Sequence, residues 1–131
     1  MKEYIDGDLV RYTSLYKEPI AEICEIRETS YLIRYMNGNF AKVTSQEIKP
    51  IPLTADILEK NGWEFVGGQL NDNGLTWDIY SKCGVLPDLY YYPDGKFSVF
   101  MYGKEVLPDI KYIHQLQHLL FGLGINHEME V

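Results

Sequence analysis

The sequence predicts a β-rich α+β protein in two parts: a small β-barrel over residues 1–52, then a helix–four antiparallel strands–helix unit over residues 53–131. Its aromatic residues, 11 Tyr, 5 Phe and 2 Trp, exceed what a helical bundle uses and favour strands. Pro50 and Pro52 mark the joint, because proline ends a strand and keeps the chain extended. We expect the two parts to pack as one compact unit.

The first part contains five short runs typical of strands: DLVRYT, PIAEICEIRE, SYLIRYM, NFAKVTS and EIKPI. Asn37-Gly38 joins the third run to the fourth, since this dipeptide adopts the positive φ angles of a tight hairpin turn. Five short antiparallel strands are too few for a sandwich, so we expect a closed barrel. The opening IDGDLVRY, an acidic-Gly turn before a strand, resembles the start of SH3-like and KOW-type barrels. The barrel is therefore predicted to be SH3-like.

The second part begins with a short helix, Leu53 to Gly62, whose two ends are both marked. Thr54 is the predicted N-cap, and Gly62 suits the left-handed position that follows a helix. Leu53 and Leu58 are spaced as a hydrophobic staple. The runs WEFVG, LTWDIYS, LYYYP and KFSVFMY then predict four strands, the last two joined by a tight turn at Pro93-Asp94-Gly95.

The chain closes on a predicted helix, DIKYIHQLQHLLFGLGI, with Asp109 as its N-cap and its end at Gly122 or Gly124. Its wide apolar arc predicts a helix that lies across a sheet. Four polar residues form a strip that we expect to be exposed: Lys111, His114, Gln115 and His118. Four others are expected to be buried: Ile113, Leu116, Leu120 and Leu123. Alanine at both histidines should therefore leave stability unchanged within about 0.5 kcal/mol.

Gln117 falls inside the apolar arc of that helix, where its amide needs hydrogen-bond partners. We expect it to bond the backbone of a neighbouring strand end. His114 and His118 are four residues apart, the spacing of zinc-binding helices. Gln115 stands where a metalloprotease has its glutamate, so a metal is not expected. No nucleophile or phosphate-binding motif is present; we expect no cofactor and no enzymatic activity.

The formal charge of −7 and a pI near 4.9 make nucleic acid an unlikely partner, because phosphate backbones are repelled at long range. No apolar run approaches the roughly 20 residues of a membrane span, so we expect a cytoplasmic protein without a membrane partner. Cys24 and Cys83 have no metal-binding or redox spacing and are expected to be buried thiols.

The segments PIPLTADILEKNGW and IKYIHQLQHLLFGLGI resemble parts of a group of small uncharacterised proteins of gut Bacteroidales, their prophages and their phages. The resemblance covers most of residues 50 to 131 and implies a mobile-element setting, without a catalytic residue.

Three hypotheses follow. The first is a non-enzymatic protein-interaction or assembly module that binds a protein partner or itself, with Tyr90, Tyr92, His114 and His118 as candidate contacts. The second is a nucleic-acid-associated protein that uses Arg11, Arg27 and Arg34 of the barrel. The third is a binder of a small, nucleotide-like ligand.

Overall fold

The computed structural model describes residues 4–70 and 76–131. Within these ranges the protein is a mixed, strand-rich α+β protein with two antiparallel five-stranded sheets. The elements in chain order are β1 (Leu9–Tyr12), β2 (Ile20–Ile26), β3 (Tyr31–Tyr35), β4 (Asn39–Val43), a 3-10 turn (Ser45–Glu47), β5 (Ile48–Pro50), α1 (Ala55–Lys60), β6 (Glu64–Leu70), β7 (Thr76–Ser81), β8 (Asp88–Tyr91), β9 (Phe97–Met101), β10 (Lys104–Ile110) and α2 (Ile113–Gly122). Neither described helix has the length and apolar character needed to cross a bilayer.

The chain divides into two units. The first unit combines Met1–Pro52 with Tyr112–Met129, and the second combines Leu53–Lys111 with Glu130–Val131. This differs from the expected division, in which all of residues 53–131 form the second part. The helix expected to end the second part is α2, which belongs instead with the first unit.

The first unit contains the sheet β4-β3-β2-β1-β5, in which all neighbours are antiparallel. All five strand runs expected in this part are present. The predicted closure of a barrel is absent from the described residues. Among them β4 pairs with β3 alone and β5 with β1 alone, so the two edge strands do not meet. Seven residues form the core of this unit: Val10, Ala21, Ile23, Tyr31, Ile33, Val43 and Ile48. Because α2 also contributes buried apolar side chains to the unit, its core does not depend on closure of the sheet.

Asn37 and Gly38 form the β3–β4 turn as predicted, but in a three-residue loop, because Tyr35 pairs with Asn39 and Met36 also has a positive φ of 30°. Asn37 and Gly38 have φ angles of 59° and 86°, and the Asn39 N–H donates to the Met36 carbonyl at 3.3 Å. Tyr31 and Ile33 are buried on the same face of β3. The turn residues and the alternation of buried residues along β3 indicate the same strand pairing, so the register of this hairpin is well defined.

The second unit is the meander β10-β9-β8-β7-β6 together with α1. Both predicted ends of α1 are confirmed. Thr54 Oγ1 accepts a hydrogen bond from the Ile57 N–H at 3.2 Å, and Gly62 has φ of +89°. The Gly62 and Trp63 N–H groups donate to the carbonyls of Glu59 and Leu58, as in a Schellman motif.

The second sheet has five strands instead of the expected four, because residues 104–110 form β10. Asp109, the predicted N-cap, lies in this strand with φ of +61°, and Ile110 pairs with Phe97. Helix α2 therefore starts later, after Tyr112, whose N–H donates to Gln115 Oε1 at 3.0 Å. Pairing with β9 thus overrides the local N-cap signal, as tertiary contacts often override propensity.

Candidate functional site

A buried carboxylate in the first unit lies between the turn before β1 and helix α2. Asp8 is 0% exposed, and its Oδ2 accepts a hydrogen bond from the Ile5 N–H at 2.8 Å. His118 Nε2 lies 2.7 Å from the same oxygen. Asp8 Oδ1 is buried and meets no hydrogen-bond donor among the described residues. A buried charge is stabilised by such a pair, so His118 connects α2 to the N-terminal turn.

The prediction that His114 is exposed is wrong. Its side chain is 6% exposed and is surrounded by aromatic rings: the ring of Tyr4 at 4.9 Å, that of His118 at 5.5 Å and that of Tyr112 at 5.9 Å between centroids. Leu123, expected to be buried, is 40% exposed because it caps the C-terminus of α2. The helix wheel could not anticipate that Tyr4 covers this part of α2.

Gln117 behaves as the sequence predicts. It is 0% exposed, and its Oε1 accepts from the Leu9 N–H at 3.0 Å. Its Nε2 donates to the carbonyls of Gly7 at 3.0 Å and His127 at 3.1 Å. One amide thereby satisfies backbone groups from the start of β1 and from the C-terminal segment. We assign a structural role to this residue.

The cluster around Asp8 suits structure better than chemistry. In the part of the chain that the structure describes, no hydroxyl or thiol is hydrogen-bonded to His118, and no group of three potential metal ligands occurs. Cys83 is exposed, contrary to expectation, while Cys24 is partly buried.

We predict that ionisation of the Asp8 carboxyl makes folding less favourable as the pH rises above the ordinary aspartate pKa of 3.8. Burial raises the pKa of Asp8 above its ordinary value of 3.8, against the lowering effects of the Ile5 N–H and His118. The folded state therefore holds this proton more tightly than the unfolded chain, and the stability that the proton contributes is lost as Asp8 ionises.

The stability of the wild-type protein is compared with that of Asp8→Asn at each pH, because protonation of the other carboxylates affects both proteins alike. Urea midpoints should show Asp8→Asn gaining stability relative to the wild type as the pH rises. A stability difference that stays constant or moves the other way would contradict the raised pKa.

A second candidate lies in the second unit, on one face of its sheet. The register of β7, β8 and β9 places five large side chains on this face, which we call the aromatic face: Trp77, Ile79, Tyr90, Tyr92 and Phe100. All five are partly exposed. Tyr90 and Phe100 are stacked at 3.8 Å between ring centroids, with 16° between their planes. Two neighbouring strands thus present one continuous aromatic surface.

The opposite face of the same sheet carries the core of this unit. Its buried residues are Tyr80, Leu89, Phe97, Val99 and Ile110. Burial raises the pKa of the Tyr80 phenol, and the charges of Asp78 and of Glu59 and Asp56 on α1 raise it further. This places α1 beside the core face. The five large side chains of the aromatic face stay partly exposed, while Ser98 between them is buried.

The end of the aromatic face forms a pocket. The rings of Trp77 and Tyr92 lie 6.1 Å apart between centroids and are inclined by 47°. A cavity of about 160 Å³ lies there, lined by Trp77, Asp78, Tyr91, Tyr92 and Pro93. Burial, together with the charges of Glu105 and Asp94, raises the pKa of the Tyr92 phenol. By the register, Asp78 and Tyr91 belong to the opposite face, so residues of both faces line this pocket at the strand ends.

A larger cavity of about 270 Å³ lies in the first unit, lined by Gly7, Leu9, Glu22, Arg34, Gln117, Glu128 and Met129. The Arg34 guanidinium is already paired with the Glu22 carboxylate. Glu128 adds a second carboxylate, and the amide of Gln117 is occupied by backbone groups. This lining repels phosphate and offers no unused donor from Gln117.

The four candidate contacts thus fall in different units. Tyr90 and Tyr92 share the aromatic face, whereas His114 and His118 belong to the Asp8 cluster of the first unit. The sequence-based selection missed Trp77 and Phe100. Alternation along each strand separates them from the core residues, but only the strand register places them beside Tyr90 and Tyr92. Comparison with protein-family models, with curated proteins and with solved structures finds no match to this chain.

Proposed function

We propose that this chain is a non-enzymatic protein-interaction module that binds a protein partner on its aromatic face. The observation that carries the proposal is the position of Trp77, Tyr90, Tyr92 and Phe100 on the sheet face opposite the core. Tyrosine and tryptophan are the side chains enriched in the energetic centres of protein interfaces. A contiguous aromatic surface that stays partly exposed on a folded unit is typical of an interaction site.

We favour a partner of another kind over a second copy, because two chains that each carry a formal charge of −7 repel one another. Consistent with the resemblance noted above, the setting we propose is cytoplasmic and phage- or element-encoded. The strand order of the first unit, in which β5 returns to β1, supports an SH3-like interpretation of that sheet.

The other two hypotheses receive less support. Arg27 pairs with Glu25 at 3.0 Å, Arg34 pairs with Glu22, and the Arg11 guanidinium donates to the Glu18 carbonyl at 3.0 Å. These three arginines are therefore engaged within the unit instead of forming a patch for phosphates. The 270 Å³ cavity carries carboxylates, which disfavours a nucleotide.

The test is a combined Tyr90→Ser and Phe100→Ser variant, with Tyr102→Ser as its control. Tyr102 is 85% exposed in the β9–β10 turn of the same unit. We expect affinity-tagged wild-type protein and the control to retain the same host protein, and the double variant to bind it about thirtyfold or more weakly. Light scattering of the wild-type protein then separates a different partner from self-association.

Thermal unfolding of the variants shows that the loss is not due to misfolding. A wild-type protein that remains a monomer and retains no host protein whose binding depends on positions 90 and 100 would overturn the proposal. A dimer abolished by the double variant would keep the aromatic face as the site and make a second copy its occupant.

A further inference from the structure

The tip of the β3–β4 hairpin carries an exposed Asn-Gly pair. Asn37 and Gly38 are both exposed, and a Cβ added at Gly38 would meet no atom within 4 Å beyond its chain neighbours. The Asn37 carboxamide and the Gly38 N–H make no hydrogen bond to another described residue. A hydrogen bond of 3.3 Å, from the Asn39 N–H to the Met36 carbonyl, closes the turn. Both groups can therefore meet when the turn opens locally.

The same dipeptide at the end of α1 is held in place by hydrogen bonds. Asn61 Nδ2 donates to the carbonyls of Ile57 and Glu130, each at 2.8 Å. Asn61 Oδ1 accepts a hydrogen bond from the Glu130 N–H at 2.7 Å. The Gly62 N–H donates to the Glu59 carbonyl at 3.1 Å. The carboxamide and the backbone nitrogen that follows it are thus both engaged at this second pair.

We propose that Asn37 is a site of spontaneous deamidation in the folded protein and that Asn61 is protected from it. In this reaction the Gly38 backbone nitrogen attacks Cγ of Asn37 and closes a succinimide ring. The bond from Cγ to the side-chain nitrogen breaks, and ammonia leaves with the proton of the attacking N–H. Water then opens the ring at either carbonyl and gives aspartate or isoaspartate. Glycine favours the attack because it has no side chain that obstructs a close approach.

Hydrogen bonds decide which of the two asparagines reacts. The carboxamide must swing onto the following backbone nitrogen, so any bond that holds either group opposes the attack. At Asn37 no such bond to a described residue has to break. At Asn61 three bonds of the side chain and the one from the Gly62 N–H must break first. We therefore expect folded Asn37 to deamidate at least about tenfold faster than Asn61.

Deamidation changes the hairpin in two ways. Aspartate adds a negative charge to a hairpin whose residues 29–46 hold no acid. Isoaspartate carries the main chain through the side-chain carbon and lengthens it by one methylene group. Because Tyr35 pairs with Asn39 across a three-residue loop, this extra carbon disturbs the register that joins β3 to β4.

The experiment incubates the full chain at neutral pH, folded and in concentrated guanidinium chloride, and follows its tryptic peptides by mass spectrometry. Residues 35–42 and 61–82 form the two peptides of interest, and fragmentation assigns the replacement of NH₂ by OH to one residue. It also separates Asn61 from Asn73, which lies outside the described residues. We expect Asn37 to react at least about tenfold faster than Asn61 in the folded chain, and both to react at similar rates in the denatured chain.

Two variants locate the site and test its cause. Asn37→Gln should leave the peptide of residues 35–42 at its original mass, because Asn39 is followed by the bulky Phe40. Glu130→Pro removes the N–H that donates to Asn61 Oδ1. It should speed deamidation of Asn61 in the folded chain about two- to tenfold, as for one lost hydrogen bond, and leave the rate at Asn37 unchanged.

Equal rates at Asn37 and Asn61 in the folded chain would overturn the proposal. So would an Asn37 that reacts only after denaturation, because the turn would then protect it. A folded chain in which Glu130→Pro leaves the rate at Asn61 unchanged would reject hydrogen bonding as the cause of the selection.

Discussion

Replacement of Gln117 by methionine should destabilise the protein by about 3–5 kcal/mol. Methionine keeps the length of the side chain but removes three hydrogen bonds, to the Leu9 N–H and to the carbonyls of Gly7 and His127. Each partly buried backbone group left without a partner costs about 1–3 kcal/mol.

The loss is measured as the change in urea midpoint at constant m-value. Gln46→Met is the matched control, because Gln46 is exposed in the 3-10 turn and should change stability by less than about 0.5 kcal/mol. A loss below about 1 kcal/mol for Gln117→Met would show that the three backbone groups find other partners.

Replacement of His118 by alanine should cost about 2–4 kcal/mol, in contrast to the tolerance expected from the helix wheel. The Asp8 carboxylate would remain buried and lose the group 2.7 Å from its Oδ2. Breaking a buried ion pair costs about 3–5 kcal/mol. Because the His118 side chain is 32% exposed, we expect a loss near or below the lower end of that range.

A double-mutant cycle with Asp8→Asn tests the cause. In the Asp8→Asn background, where no charge is left unpaired, His118→Ala should cost at least about 1 kcal/mol less than in the wild type. His127→Ala is the control: the ring of His127 packs on Phe121 at 5.1 Å and makes no hydrogen bond to Asp8 in the described chain. Equal costs of His118→Ala in both backgrounds would assign the effect to packing.

Local signals predicted the parts of the fold that are determined locally. The Asn37-Gly38 turn, both ends of α1 and the strand runs follow from backbone preferences that a few residues express on their own. Strand β10 was not predicted, because its own residues carry no clear strand signal. Its sequence KEVLPDI contains a proline and three charged residues, and it becomes a strand only because β9 provides a partner.

The candidate sites depend on contacts that no local pattern contains. Asp8 and His118 are 110 positions apart, and the burial of His114 depends on Tyr4 near the other end of the chain. Tyr90 and Tyr92 could be proposed because alternation fixes which residues share a face. The contribution of Trp77 and Phe100 to the same face required the register of three strands.

Most of the second unit, Leu53–Lys111, is inserted into the sequence of the first. The chain leaves the first unit after Pro52 and returns to it at Tyr112, so β1 through β5 are synthesised long before the helix that completes their unit. The bonds of Gln117 to Gly7 and Leu9 close loops of 110 and 108 residues. Such loops carry a large entropic cost that is smaller once the intervening segment has folded and brought its ends together. Every helix and strand of the second unit is complete in sequence before α2 begins, so on the ribosome the inserted unit can fold first and shorten the search that joins α2 to β1.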